Sequence, residues 1–148
     1  MASRINLPKL IVGGLVAGIV LNGIDYVVNN FVLAEAWQHV AQGHNFDASA
    51  MSGTAALITF IIVDLLLGLL IAWTYAGIRP RLGPGASTSI IAGFAVWSAV
   101  TLIQVTYTGW FLSWDMLFKA AGLSLVAMVA AALCAGFLYS EEGDSVEL

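Results

Sequence analysis

Charge is what this sequence has least of. Five Lys or Arg and nine Asp or Glu make up 9% of its 148 residues, against about 25% in a typical soluble domain. A fold in water needs charged side chains to cover its surface, so their scarcity excludes an ordinary soluble protein. No basic run is present, which excludes nucleic acid as a partner. Cysteine occurs once, at Cys134. A lone thiol excludes an internal disulfide, a CxxC redox pair and a thiolate metal cluster.

Histidine is nearly as scarce. His39 and His44 both fall between apolar stretches, so no span offers an imidazole to a haem or a chlorophyll. No Walker loop, GxSxG elbow or HExxH motif occurs, and the hydroxyls in the apolar stretches have no histidine to activate them. These absences point away from an enzyme, and no cofactor is expected. The net charge of -4 does not mark an acidic binding face, because four of the nine acids sit in the last eight residues.

What the sequence has instead is apolar length. Sixty per cent of residues are hydrophobic and the mean hydropathy is +0.93. Four apolar stretches, about Leu10–Leu33, Ala55–Ile78, Ser87–Trp110 and Trp114–Tyr139, each reach the roughly 20 residues needed to cross a bilayer as helix. They are too long for barrel strands and lack two-residue alternation. The expected fold is all-α, one domain over residues 1–148, a four-helix transmembrane bundle with antiparallel neighbours. Arg4 and Lys9 before an apolar run resemble the start of a signal peptide. The run is too long and lacks a cleavage site, so it reads as a retained first helix.

The connections differ in kind. Residues 34–54 form a long loop whose opening, Ala34 to Val40, suits a short interfacial helix with Trp37 turned to lipid. Residues 79–86 begin Arg79-Pro80-Arg81-Leu82-Gly83-Pro84-Gly85 and read as a rigid turn, since proline cannot extend a helix and glycine admits sharp angles. The link near Trp110–Trp114 is short enough to force a hairpin. Residues 140–148 are a polar tail. Arg4, Lys9, Arg79 and Arg81 all fall on one side of this topology, and the other side has no Lys or Arg in its loops. The positive-inside rule then puts both termini in the cytoplasm. Trp37, Trp110 and Trp114 would form an outer aromatic belt, and Trp73, Tyr75 and Tyr139 an inner one.

Polar residues inside the stretches carry the functional question, because a charge at bilayer depth costs from about 2.5 kcal/mol upward. Asn22, Asp25 and Asn29 share one face of the first helix with Gly18. Asp64 lies in the second, Gln104 in the third, and Lys119 with Asp115 in the fourth. Counted at about 1.5 Å per residue, Asp25, Asp64, Gln104 and Lys119 lie within roughly 7–14 Å of the outer boundary. One polar layer is expected there. Either it is a buried network in which Asp25 or Asp64 pairs with Lys119 and fixes helix register, or it is a site open to the outer side with a carboxylate that exchanges protons.

Other features read more plainly. Gly14 with Gly18, Ser89 with Gly93, and Ala127, Ala131 and Ala135 suit close helix packing. His39 and His44, with Glu35 nearby, are weak metal candidates, because a metal site needs three or four compact ligands. Arg79 and Arg81 could contact lipid headgroups or simply mark the cytoplasmic side.

The segment Trp73-Thr74-Tyr75-Ala76-Gly77-Ile78-Arg79-Pro80-Arg81-Leu82-Gly83-Pro84-Gly85 resembles small uncharacterised bacterial four-helix inner-membrane proteins that share an R-P-R-x-G-x-G turn and an acid late in the first helix, as Asp25 is here. The resemblance covers the second and third helices best, implies a bacterial inner-membrane location and brings no activity. The helix count and the acid in the first helix also resemble small multidrug exporters, but this chain is longer, uses Asp rather than Glu and has a larger first loop. The simplest expectation is a non-enzymatic accessory or scaffolding subunit among membrane lipids and other membrane chains. The rival is a homo-oligomeric transporter or solute binder that uses Asp25 and Asp64 for proton or cation coupling.

Overall fold

A computed structural model describes residues 5–44 and 53–140, and all its regular structure is helical. Helix α1 is Leu7–Val27 and runs on through one π-helical turn, Val28–Val32; α2 is Ala34–His44, α3 Thr54–Leu82, α4 Ala86–Thr108 and α5 Trp114–Leu138. Four of these, α1 with its π turn and α3 to α5, are long and apolar enough to cross a membrane. Even α4, the shortest at 23 residues, reaches about 35 Å against a hydrocarbon core of about 30 Å. Arg4, Asp47 and the polar tail beyond Ser140 lie outside the described residues.

Local chemistry sets the ends. The Asn6 side chain accepts the Lys9 N–H and Pro8 occupies the first turn of α1. Ser113 does the same for the Met116 N–H at the start of α5. Such caps satisfy N–H groups that the helix itself leaves open. Helix α3 stops at Gly83, whose φ of 83° and the 123° of Gly85 lie in the left-handed region that favours glycine. The Gly83 N–H returns to the Arg79 carbonyl at 2.8 Å.

That stop falls later than the sequence suggested. The segment from Arg79 to Leu82, expected as the start of the turn, is the last turn of α3, with Pro80 inside it. A proline there removes a single N–H. Pro80 is exposed, while Tyr75, Ala76 and Arg79 pack on the buried face. Burial of that face outweighs one lost hydrogen bond. The turn proper is then tied down by its neighbours: Thr88 Oγ1 donates to the Gly83 carbonyl at 2.7 Å, and the Gly85 N–H donates to the Tyr75 hydroxyl at 3.2 Å.

In the bundle α1 packs on α3 and α5, α4 packs on α5 and α3, and α3 touches α5 across the middle. Close approach depends on small residues. A methyl at Gly14 would stand 2.8 Å from Leu69 Cα, and one at Gly18 2.6 Å from Leu65 Cα. Opposite them, a methyl at Gly68 would strike the backbone of Gly14 and Gly18. Gly93 of α4 similarly meets Ala132 and the Met128 carbonyl of α5, and Ala127, Ala131 and Ala135 are fully buried. Every one of these small-residue motifs packs within the chain's own bundle.

The apolar core comes in two parts. The larger joins all four long helices from Leu10 to Tyr139, and the smaller joins Leu112, Met116 and Leu117 to Ala36, Trp37 and Val40 of α2 and to Val105. Trp37 therefore does not face lipid as expected. Helix α2 lies over the α4–α5 hairpin, turns Ala36, Trp37, Val40 and Ala41 onto it, and leaves Glu35, Gln38, His39 and Gln42 exposed. The inner belt is corrected too. Trp73 is exposed, but Tyr75 and Tyr139 are buried and pack edge to face, ring centres 5.9 Å apart. Trp110 and Trp114 are exposed, as a belt requires.

Candidate functional site

The two apolar clusters leave an interval between them, and polar residues fill it. On α1 the larger cluster ends at Ile24 and is followed by Asp25; on α3 it begins at Leu67, one turn beyond Asp64. On α4 it ends at Val100, with Thr101 and Gln104 before Val105 of the smaller cluster. On α5 the interval runs from Leu117 to Ala127 and holds Ala121 and Ser124.

Asp64 is the most enclosed member, 6% exposed. It is buried because Gly18 has no side chain: the α1 backbone closes to within 2.9 Å of the Asp64 carbonyl oxygen, measured from where a Gly18 Cβ would lie. One turn along, Asn22 ties the same two helices, its Nδ2 donating to the Gly18 carbonyl at 3.1 Å and to the Ile61 carbonyl at 3.3 Å. Asp25, half-buried, stands near enough to Asp64 for their charges to interact. Among the described residues no hydrogen bond or ion pair reaches the Asp64 carboxylate.

Asn29 is exposed rather than turned into the layer. The π turn explains this, because it takes more residues per turn and shifts everything after it off the earlier face. Asn29 Nδ2 donates back to the Asp25 carbonyl at 2.9 Å, Asn30 does the same to Tyr26 at 2.8 Å, and Asn29 Oδ1 accepts from Trp37 Nε1 at 3.0 Å. No feature of the sequence reading signalled the π turn. A run of two asparagines near a helix end, able to bond back to the helix, was the available hint.

Lys119 departs furthest from expectation. It pairs with Asp115 at 2.8 Å, and the two side chains are 65% and 74% exposed. It does not join Asp25 or Asp64. Helical spacing favours the partner four residues away on the same face over one on another helix. Gln104 is half-buried and its carbonyl accepts the Thr108 hydroxyl at 2.8 Å. Trp97 was not singled out from the sequence. It proves to be the tie between α4 and α5, with Nε1 donating to the Ala121 carbonyl at 2.9 Å and Ser124 Oγ at 3.1 Å.

The remaining candidates lie elsewhere. His39 is exposed, and His44 Nε2 lies 3.1 Å from the Phe111 carbonyl. No three His, Cys, Asp or Glu side chains gather to hold a metal among the described residues. Arg81 is exposed. Arg79, read as a possible headgroup contact or a marker of the cytoplasmic side, is 7% exposed and lies over the Tyr139 ring, 5.7 Å from its centre. Tyr75 and Arg79 stand four apart on α3, so their shared face was legible; their contact with Tyr139, some sixty residues on, was not. Tyr139 also accepts the Asn6 N–H at 3.3 Å and Lys9 Nζ donates to Ser140 Oγ, which brings the two described chain ends together.

Chemically the layer holds two acids and, among the described residues, no base. An uncompensated charge at this depth costs about 2.5 kcal/mol or more. A cationic species on or beside the pair removes that cost. Comparison with known proteins adds no guide: no family model, curated protein or solved structure matches the chain.

Proposed function

We propose that this membrane protein is a small transporter or solute binder whose working centre is the Asp25–Asp64 pair, where a proton or cation is taken up. One observation carries the reading: Asp64 is almost wholly buried, a second acid, Asp25, lies within reach of its charge, and the cation expected to neutralise them, Lys119, is engaged by Asp115. A structural network needs its base in place. Without one, the layer fits exchange better than it fits register. The sequence alone favoured an accessory subunit, on the absence of catalytic groups, and no face of the bundle adds to that case.

The positive-inside pattern supports an orientation with both termini cytoplasmic, in which the pair would lie in the outer half of the bilayer, and the resemblance supports a bacterial inner membrane. The test is flux in proteoliposomes. Wild type should dissipate an imposed cation or proton gradient, and Asp25→Asn and Asp64→Asn should each abolish that. Absence of flux in wild type, together with recovery of larger membrane chains from a mild-detergent pull-down, would return the accessory-subunit reading.

A further inference from the structure

We infer that the species held by the Asp25–Asp64 pair is a proton rather than a metal cation, an inference that rests on the reading just proposed. Oxygen supply is the first argument. A divalent cation stripped of water takes about six or more oxygen ligands, and a monovalent one likewise needs its shell replaced by ringed oxygens. Here the polar atoms are committed to the protein. Asn22 Nδ2 draws on the carbonyls of Gly18 and Ile61, Asn29 Nδ2 draws on that of Asp25, and Asn29 Oδ1 takes the Trp37 N–H. Two carboxylates, Asn22 Oδ1 and the half-buried Thr101 and Gln104 side chains of α4 remain, and no third acid or imidazole joins them among the described residues.

Space is the second argument. The α1–α3 seam beside Asp64 is so narrow that a methyl on Gly18 would collide with Leu65. A coordinated ion needs oxygens at about 2.0–2.6 Å on every side, and the seam itself has no width for one. A proton needs one oxygen and no volume. Nor does another charge compete for the role. Helix α1 offers Asp25, the exposed Tyr26 and Lys9 at its far end; α4 offers only the exposed Tyr107; α5 offers Asp115 and Lys119, exposed and paired, and the half-buried Cys134 near its other end; α2 offers the exposed Glu35, His39 and His44.

The step is simple and balanced. A hydronium ion gives its proton to a carboxylate oxygen of Asp25, the more exposed of the two acids, and becomes water. Passed on to Asp64, the proton forms an O–H bond there and Asp25 recovers its carboxylate. The pair becomes one unit less negative, and nothing is oxidised or reduced.

The experiment is infrared difference spectroscopy of the full chain in lipid vesicles, stepped from alkaline to mildly acid pH in sodium, potassium or magnesium chloride. The expected result is a protonated-carboxyl band that Asp64→Asn removes, Asp64→Glu retains at a shifted frequency, and no salt displaces. Circular dichroism of each variant establishes that the bundle is intact. A band midpoint that falls by about one pH unit per tenfold rise in one metal would show competition for the pair; it would overturn the proton and leave the proposed site standing. A band unchanged in both Asp25→Asn and Asp64→Asn would overturn the inference by placing the proton elsewhere. No band in wild type, with gradient dissipation absent as well, would overturn both readings.

Discussion

The two halves of this bundle are built on opposite plans. At the end where the described chain ends meet, the helices are pressed backbone to backbone through Gly14, Gly18, Gly68 and Gly93, and Tyr75, Tyr139 and Arg79 are buried together. At the α2 end α3 stands clear: Leu57, Ile58, Phe60, Ile61, Ile62 and Val63 are all exposed, whichever way they point round the helix. Only α2 and the α4–α5 hairpin form a core there. The difference teaches where tight packing ends. The close-packed half holds the fold, and the acid pair sits at its margin, where packing begins to open.

Four substitutions test that division. The largest effect is expected for Gly68→Leu, which drives a side chain into the α1 backbone. Overpacking of this kind costs about 3 kcal/mol or more, enough that the variant should fail to give a folded peak on gel filtration in detergent. Tyr139→Ala removes the partner of Tyr75 and Arg79 and should cost about 3 kcal/mol, seen as a lower thermal midpoint by circular dichroism. If both are tolerated as well as equivalent changes near α2, the halves are not distinct. Trp37→Phe keeps the ring and deletes the N–H to Asn29; the loss should be about 1 kcal/mol, with faster hydrogen exchange confined to α2. Lys119→Gln breaks an exposed i,i+4 pair and should shift stability by no more than about 0.5 kcal/mol and leave flux unchanged. Loss of flux with Lys119→Gln would return that side chain to the acid layer.

How far the sequence could be read follows from the range of the interactions. The four spans were legible because each depends only on a long local excess of apolar residues, and the small-residue seams because glycine spacing is also local. Pro80 misled about the end of α3, since the buried face formed by Tyr75, Ala76 and Arg79 outweighs one missing N–H. Asp64 lies buried in its span, but the partner of Lys119 was not foreseen. The choice between Asp115 and an acid on another helix depends on where α5 turns its faces, and an even apolar composition around each span gives no such orientation. Arg79 was missed for the same reason: its partner, Tyr139, comes from the far end of the chain.

The single π-helical turn at Val28–Val32 has a bearing on any helical wheel drawn for this protein. It works like a slipped tooth in a gear, so the register counted from Leu7 ends at Val28 and a fresh count begins beyond it. Removing one residue inside the turn should re-engage the teeth and swing Leu33 and all of α2 by about 100°. Trp37 would then leave the hairpin, and the strap across this end of the bundle would be undone without any change to its own sequence.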